Sequence, residues 1–223
     1  LVARLTEAQL ARKGSALGWL FGKKPPAPVK GLYIWGSVGR GKTMLMELFY
    51  DVAKVTPKKR VHFHAFMADI HARIFAFRQQ VKAGTVKDTD PIPPVAAQVA
   101  AEARLLCFDE FTVTDIADAM ILGRLFTALF AQGVTVVCTS NVEPSRLYEG
   151  GLNRALFLPF IQLLQERMEI VELSSRTDFR LEKLGGAPVW HVPADDKAKR
   201  ALDLAFLKLT GEESAPPVTL MVK

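Results

Sequence analysis

The stretch Gly36-Ser37-Val38-Gly39-Arg40-Gly41-Lys42-Thr43 decides the fold of this chain, because it fits the pattern G-x-x-x-x-G-K-[ST] at every fixed position. The apolar run before it, residues 31–35, predicts a short buried strand. Residues 42–54 after it carry apolar side chains at helical spacing. A glycine-rich turn between a strand and a helix is the context in which this pattern binds phosphate, so all eight residues are candidate nucleotide contacts.

Each part of this loop has a chemical purpose. Glycines let the backbone curl so that successive amides point at phosphate oxygens, and the start of the next helix adds its positive end. Lys42 is expected to reach the β- and γ-phosphates, and the Thr43 hydroxyl to bind Mg²⁺. A GTPase would normally add an Asn-Lys-x-Asp motif, which the sequence lacks. The loop therefore predicts a nucleotide with Mg²⁺, and the sequence does not favour a GTPase.

A second acidic motif follows the unbroken apolar run at residues 104–108. Asp109 at the tip of this predicted strand could hold the hydrated Mg²⁺ opposite the phosphate loop. Glu110 beside it could polarise an attacking water as a general base. Taken alone, an acidic pair at the end of a strand is usually a surface turn. The phosphate loop upstream favours the functional interpretation.

Two further residues are candidates for catalysis. Asn141 follows the predicted strand at residues 134–139, where it could face the γ-phosphate and orient the water, although Ser140 and Asn141 also suit a helix cap. Arg154 precedes an apolar run and could be an arginine finger that acts on a neighbour's nucleotide, or a solvated residue at a helix start. Arg146 and Arg180 are weaker candidates for the same role.

Buried strands alternate with amphipathic helices along most of the chain, which predicts an α/β fold. We expect a P-loop NTPase with a parallel five-stranded sheet and helices on both faces. The expected strands are residues 31–35, 61–66, 104–108, 134–139 and 169–173; the expected helices are residues 1–22, 42–54, 67–81, one following Thr114, 151–168 and 195–209.

Several local expectations accompany this pattern. Residues 82–94 suit a loop and residues 190–192 an edge strand, while the apolar segment 216–223 suits part of a strand. His62 and His64 would share one face of the second strand, without the further ligands of a metal site. Thr114 is the expected cap of a helix that Gly133 ends. The side chains that this helix is expected to bury are Ile116, Met120, Gly123, Phe126 and Phe130.

The composition bounds the class of protein. Of 223 residues, 49% are hydrophobic and 23% charged, which excludes a disordered, collagenous or disulfide-rich chain. The net charge of +6 suits an anionic partner, but the basic clusters at residues 23–24 and 58–60 favour a solvated surface. Cys107 and Cys138 lie in apolar runs, which suggests buried thiols in a reducing compartment. No run is long enough to span a membrane, and no signal peptide begins the chain.

Five stretches resemble the ZapE family of P-loop ATPases, which includes bacterial cell-division ATPases and mitochondrial relatives. They are residues 31–43, 61–67, 108–120, 139–141 and 147–161. The resemblance covers residues 30 to 182. It indicates an N-terminal helix and linker at residues 1–30, an ATPase core at 31–182, and the start of an incomplete C-terminal region at 183–223. The first residue is not Met, so we expect a fragment or a processed form.

The resemblance implies an AAA+-type fold, ATP and Mg²⁺, and a homo-oligomeric ring in which Arg154 acts in trans. It also implies a protein partner, the FtsZ division ring in bacteria, or a role in mitochondrial protein quality control in eukaryotes. The implied location is the bacterial cytoplasm, including the division site and the periphery of the inner membrane, or the mitochondrion. An arginine borne by the missing C-terminal region would be absent from this chain.

Two other functions are compatible with a P-loop. A helicase loader of the DnaC type would bind single-stranded DNA through stacked aromatic side chains and basic grooves. The sequence shows no basic-aromatic stripe, so nucleic acid is not an expected partner. A catalytically idle scaffold would lack a residue such as Glu110. An ATPase that remodels a protein partner is therefore the favoured function.

Overall fold

The computed structural model describes residues 1–8, 29–174 and 190–211. The chain divides into two compact units. The larger unit comprises Leu1–Ser37 and Gly41–Ser174, and the smaller comprises Val38–Arg40 and Ser175–Lys223. The domain boundaries expected from the sequence stay a prediction.

Five parallel strands form one sheet, which confirms the fold class expected from the sequence. They are β1 (Gly31–Trp35), β2 (Lys58–His62), β3 (Leu105–Asp109), β4 (Thr135–Ser140) and β5 (Met168–Glu172). Their order in the sheet is β2-β3-β4-β1-β5. β1 pairs with β4 on one side, with Leu32 opposite Val137, and with β5 on the other, with Gly31 opposite Met168. β3 and β4 are buried at every position, as unbroken apolar runs require.

Helices cover both faces of this sheet in the larger unit. They are α1 (Lys42–Val52), α2 (Phe63–Lys82), α3 (Ile92–Glu102), α4 (Ile116–Ala131) and α5 (Leu158–Arg167), and residues 2–8 are also helical. Met46 of α1 packs with Leu105 and Cys107, whereas α2 to α5 pack with Leu106 and Phe108. Because successive strand residues face opposite sides, these two clusters lie on opposite faces. The smaller unit contributes α6 (Asp196–Thr210).

The second strand expected at residues 61–66 is wrong in its boundaries. β2 ends at His62, and Phe63 already begins α2. This segment is helical because a helix buries apolar side chains at spacings of three and four residues. The buried side chains are Phe63, Phe66, Met67, Ile70 and Ile74. His62 and His64 therefore do not share a strand face, although their rings stack with centroids 5.8 Å apart.

Helix α3 is absent from the expected elements, and the expected loop at 82–94 overlaps its start. Pro93 and Pro94 lie in its first turn, where the missing amide costs no intrahelical hydrogen bond. The helix then buries Ile92, Val95, Ala96, Val99 and Ala100. Its apolar face lies against α4, which makes it part of the main core.

Helix α4 differs from expectation at its cap and in its buried face. Asp115, not Thr114, is the cap, and its carboxylate accepts hydrogen bonds from the backbone amides of Ala117 and Asp118. Ile116 and Met120 are exposed instead of buried. Gly133 has a φ of 76° just after the helix, which agrees with its expected role at the C-terminal end. The side chains that α4 buries are Ala119, Leu122, Leu125, Phe126, Leu129 and Phe130.

The structure agrees with some of the remaining expected helices and strands and corrects others. The helix expected over 151–168 begins only at Leu158, after a 3₁₀ turn at Arg154–Leu156. Residues 190–192 are not in a strand, so that expectation is wrong. α6 agrees with the expected bounds within one residue and buries Ala198, whereas Leu202 and Phe206 are exposed. The linker near residues 23–28, most of the N-terminal helix, and residues 216–223 lie outside the described residues.

Candidate functional site

The phosphate loop joins β1 to α1, as the sequence predicts. Gly36, Gly39 and Gly41 have φ values of 155°, 83° and 77°. At Gly36 a Cβ would lie 2.7 Å from the carbonyl oxygen of Leu173, so no larger residue fits without movement. The Gly36 amide donates to the carbonyl of Ser140 at 3.2 Å, which ties the start of the loop to the end of β4. Glycine is therefore favoured in this loop for two reasons: the backbone has positive φ values, and at Gly36 there is no room for a Cβ atom.

Lys42 and Thr43 occupy the first turn of α1. The Lys42 ammonium donates to the carbonyl oxygens of Gly36 and Ser37, each at 2.7 Å. These contacts hold its charge beside the loop from which it projects. Thr43 is exposed, with its hydroxyl at the helix start. Both residues are therefore at the positive end of α1, where an anion is stabilised.

Asp109 is the last residue of β3 and is only 6% exposed. Its Oδ2 atom accepts a hydrogen bond from Arg60 Nε at 2.6 Å. Its Oδ1 atom is buried and has no hydrogen-bond partner among the described residues. A buried carboxylate oxygen without a partner is costly, so it needs an explanation such as a bound ion or water.

Glu110 projects from the same strand end in an unusual backbone conformation. Its φ is 55°, in the left-handed region that residues other than glycine seldom adopt. Its amide donates to the Thr139 hydroxyl at 3.3 Å, and the next amide, that of Phe111, donates to the Thr139 carbonyl at 2.7 Å. The side chain of Glu110 is exposed. The neighbouring strand thus fixes the backbone from which this carboxylate projects.

Asn141 follows β4 and has an exposed side chain. It lines a groove of about 610 Å³ together with Trp35, Thr112, Thr114 and Tyr148. The residues on either side of it are fixed, because the Ser140 hydroxyl donates to the Phe111 carbonyl and accepts from the Val142 amide. β4 lies between β3 and β1, so Asn141 is placed between the acidic pair and the phosphate loop along the carboxyl edge of the sheet.

Arg154 lies outside this row of strand ends. It begins a 3₁₀ turn after Asn153, which has a left-handed φ of 57°. Its Nη2 atom donates to the Ser145 carbonyl at 2.6 Å, while its Nε atom is buried without a hydrogen-bond partner among the described residues. Arg146 on the same segment pairs with Glu149 at 2.8 Å, and Arg180 lies outside the described residues. Arg154 is thus half-buried and held by its own chain.

The sequence interpretation missed Arg60. The cluster at residues 58–60 is not simply a solvated surface, because the Lys58 ammonium donates to the carbonyls of Tyr50 and Ala53. Arg60 contacts both Asp109 and Glu47. The Asp109 carboxylate is the main cause of the raised pKa of Arg60. The sequence carried no local signal for this ion pair, because the expected second strand began at residue 61 and the contact depends on the pairing of β2 with β3.

The described residues show neither a metal-binding cluster nor a membrane-spanning helix. In residues 1–8, 29–174 and 190–211, no group of three or more His, Cys, Asp or Glu side chains is arranged to hold a metal ion. Among the helices that the structure describes there, none is both long and apolar enough to cross a membrane.

The chain is similar to two known proteins over most of its length. It is 42% identical over 209 residues to the cell division protein ZapE of Escherichia coli K12, covering 92% of this chain and 54% of that protein. It is 47% identical over 188 residues to lactation elevated protein 1 homolog B of Danio rerio, covering 82% of this chain and 37% of that protein. The chain thus spans about half, or less, of the length of these relatives.

The chain also resembles a solved structure and matches a family model. The crystal structure of DnaI superposes with a TM-score of 0.48 at 14% identity, over 77% of this chain and 84% of that one. The family model described as AFG1-like ATPase matches residues 1–223. Because that match runs over the whole chain, this chain belongs to the AFG1-like ATPase family.

Proposed function

We propose that this chain binds ATP with Mg²⁺ and hydrolyses ATP to ADP and phosphate. One observation carries the proposal: the loop Gly36–Thr43 and the buried carboxylate of Asp109 lie at the carboxyl ends of strands in one parallel sheet. Ligands of such sheets bind outside these strand ends. Membership of the AFG1-like ATPase family supports ATP as the substrate.

The phosphates are bound by the loop in this proposal. The amides of residues 36–43 and the start of α1 present positive partial charges, and the Lys42 ammonium adds a full charge. Lys42 donates to two loop carbonyls at 2.7 Å, and these contacts keep its ammonium beside the loop that would hold the phosphates.

The residues at the strand ends suit Mg²⁺. Magnesium prefers oxygen ligands and commonly uses one or two protein groups together with substrate phosphates and waters. The Asp109 Oδ1 atom is a buried oxygen without a hydrogen-bond partner among the described residues, and Thr43 offers a hydroxyl. When bound, the ion neutralises charge that develops on the phosphates. Asp109 and Thr43 are therefore the proposed metal-binding residues.

Glu110 and Asn141 prepare the attacking water. The Glu110 carboxylate accepts a proton from the water as its oxygen bonds to the γ-phosphorus, and the bond from that phosphorus to the bridging oxygen of ADP breaks. The Asn141 amide orients the water from the neighbouring strand. The hydrogen bond from the Glu110 amide to Thr139 supports this assignment, because it fixes the backbone of the base.

Arg154 completes the site of an adjacent subunit in a homo-oligomer. Its side chain is partly exposed and its Nη2 atom is held by the Ser145 carbonyl, which leaves the residue accessible to a neighbouring subunit. An arginine supplied in trans neutralises charge in the transition state.

Hydrolysis is coupled to the remodelling of a protein partner, an FtsZ-type division protein if the source is bacterial. The support is the 42% identity to a cell division protein. The corresponding location is the bacterial cytoplasm at the division site. The match covers 54% of that relative's length.

The test is ATP hydrolysis measured against protein concentration, with and without an FtsZ-type protein. We expect phosphate release that requires Mg²⁺, a specific rate that rises with concentration as subunits associate, and stimulation by the partner. Absence of hydrolysis by chains that bind ATP at saturating concentration would contradict the ATPase proposal. Hydrolysis that an FtsZ-type protein does not stimulate would contradict only the proposal that such a protein is the partner.

A further inference from the structure

Arg60 links three parts of the candidate site. Its Nε atom donates to Asp109 Oδ2 at 2.6 Å, and its Nη1 atom lies 3.4 Å from Glu47 Oε1. Arg60 belongs to β2, Asp109 ends β3, and Glu47 belongs to α1, the helix that the phosphate loop begins. A single side chain therefore connects the carboxylate proposed for Mg²⁺ with the helix that carries Lys42 and Thr43.

The strand register explains how Arg60 reaches Asp109. Arg60 is opposite Cys107 and His62 is opposite Asp109, so the Arg60 side chain extends along the sheet toward the carboxyl end of β3. Cys107 packs with Met46 of α1, which shows that this face of the sheet is the one that α1 covers. The guanidinium thus lies between the strand end and α1.

The two ion pairs of Arg60 differ in strength. The side chains of Arg60 and Asp109 are 23% and 9% exposed, whereas that of Glu47 is 59% exposed. A charge-assisted hydrogen bond at 2.6 Å between mostly buried groups is strong and directional, and an ion pair with an exposed carboxylate contributes little. Asp109 is therefore the partner that matters, and Glu47 is an accessory contact.

We propose that Arg60 is a positioning residue for the metal-binding carboxylate: by occupying Oδ2, it orients Asp109 so that Oδ1 is presented to Mg²⁺. The proposal rests on the function proposed above. It also accounts for the two observations on Asp109, one oxygen bound at 2.6 Å and the other buried without a hydrogen-bond partner among the described residues. Partners that orient a metal ligand in this way commonly contribute 10–100-fold to metal affinity.

The planar guanidinium suits this task better than an ammonium. Its donors lie in a rigid fork, so one nitrogen can fix the carboxylate plane while another reaches Glu47. A lysine would supply the charge without the fixed direction. Charge and orientation can thus be separated by comparing Arg60→Lys with Arg60→Met, which keeps an apolar stem and removes the charge.

The experiment measures the affinity for ADP by calorimetry, once with excess Mg²⁺ and once with EDTA. In the parent chain, Mg²⁺ should tighten ADP binding. In Arg60→Met we expect this gain to shrink by about 10–100-fold, while the affinity in EDTA stays at the parent value. Arg60→Lys should recover part of the gain. A Mn²⁺ titration of the ADP-bound protein, followed by electron paramagnetic resonance, should show the same order of variants.

Arg73→Met is the matched control. Arg73 also holds carboxylates, those of Asp69 and Glu102, but it lies on α2 and makes no contact with Asp109. It should lose thermal stability without changing the Mg²⁺ effect. A parent-like Mg²⁺ effect in folded Arg60→Met would overturn the positioning role alone. If Arg60→Met does not fold, Arg60→Lys becomes the test. A parent-like Mg²⁺ effect in Arg60→Lys would then overturn the positioning role. If Mg²⁺ has no effect in the parent, the metal site and the role of Arg60 are both wrong.

Discussion

The hydroxyl of Thr139 lies 3.3 Å from the backbone nitrogen of Glu110 and accepts its hydrogen bond across the boundary between β4 and β3. Glu110 needs this support, because its φ of 55° is a left-handed conformation that costs about 1–2 kcal/mol for a residue with a Cβ. Thr139 is itself buried, so water cannot easily replace the hydroxyl. The direction of the Glu110 side chain thus depends on a residue of the neighbouring strand.

Thr139→Val should lower turnover more than nucleotide affinity. The substitution keeps the shape but removes the acceptor, which leaves the Glu110 amide unpaired at a cost of about 1–3 kcal/mol in folding stability. Steady-state ATP hydrolysis, calorimetric ATP binding and thermal melting separate the effects. Thr135→Val, the same change at the other end of β4, is the control. Parent turnover in Thr139→Val would show that the hydroxyl does not position the base.

Lys42→Ala should abolish measurable ATP binding, because it removes the full positive charge at the phosphate loop. Isothermal titration with ATP and Mg²⁺ provides the measurement. Lys58→Ala is a suitable control, since Lys58 likewise donates to two backbone carbonyls but does so at the far end of α1. Unchanged affinity in Lys42→Ala would contradict the phosphate-loop assignment.

Glu110→Gln should keep ATP binding and lose turnover by about 10²–10⁴-fold, the range expected when a general base is removed. The amide preserves the shape of the side chain but accepts no proton. Rapid-quench hydrolysis and ATP titration are the two readouts. Glu166→Gln, at an exposed position of α5, should behave as the parent does. If Glu110→Gln hydrolyses ATP at the parent rate, Glu110 is not the base.

Arg154→Ala should leave ATP affinity near normal while hydrolysis falls by about 10³–10⁵-fold, the contribution of an arginine finger. A subunit with Arg154→Ala keeps its own phosphate loop, and one with Lys42→Ala keeps its arginine. Mixed oligomers of the two should therefore regain part of the activity. Arg124→Ala, which removes an exposed ion pair with Asp90, is the control. No recovery in verified mixed oligomers would count against action in trans.

The two thiols should be unreactive in the native chain. Burial raises the pKa of Cys107 to about 12, with the nearby Asp109 charge as a second cause, and burial raises that of Cys138 well above its usual value of 9.0. A thiol pKa that is higher in the folded state favours unfolding once the unfolded thiol ionises, so stability should fall between about pH 9 and pH 12. Titration with a chromogenic disulfide should detect both thiols only after denaturation. Rapid native reaction at pH 8 would contradict this prediction.

The phosphate loop and the ends of β3 and β4 could be predicted from the sequence because their signals are local. A glycine pattern and an apolar run followed by acids each lie within a few residues. Arg60 could not be placed in the same way, because its contact with Asp109 depends on the pairing of β2 with β3 and on the register of that pair. A basic residue in a cluster otherwise resembles a solvated surface.

The error at β2 has a different cause. Residues 61–66 alternate apolar and polar side chains over most of their length, which imitates the period of a strand, whereas the core contacts of Phe63, Phe66 and Met67 are helical. α3 was missed because two prolines argue against a helix unless they fall in its first turn. In both segments the local sequence is compatible with more than one type of secondary structure, and packing against the core selects the helix.

The position of β1 in the sheet has a consequence for synthesis on the ribosome. Leu32 pairs with Val137 and Gly31 with Met168, so neither neighbour of the phosphate-loop strand exists until most of the described core has been translated. Such distant pairings make folding slow, and an apolar strand with two open edges can pair with other chains meanwhile. Nucleotide can stabilise only the paired form, in which the Gly36 amide reaches Ser140. ATP binding would therefore stabilise the fully folded domain but would not stabilise the incomplete chain during its synthesis.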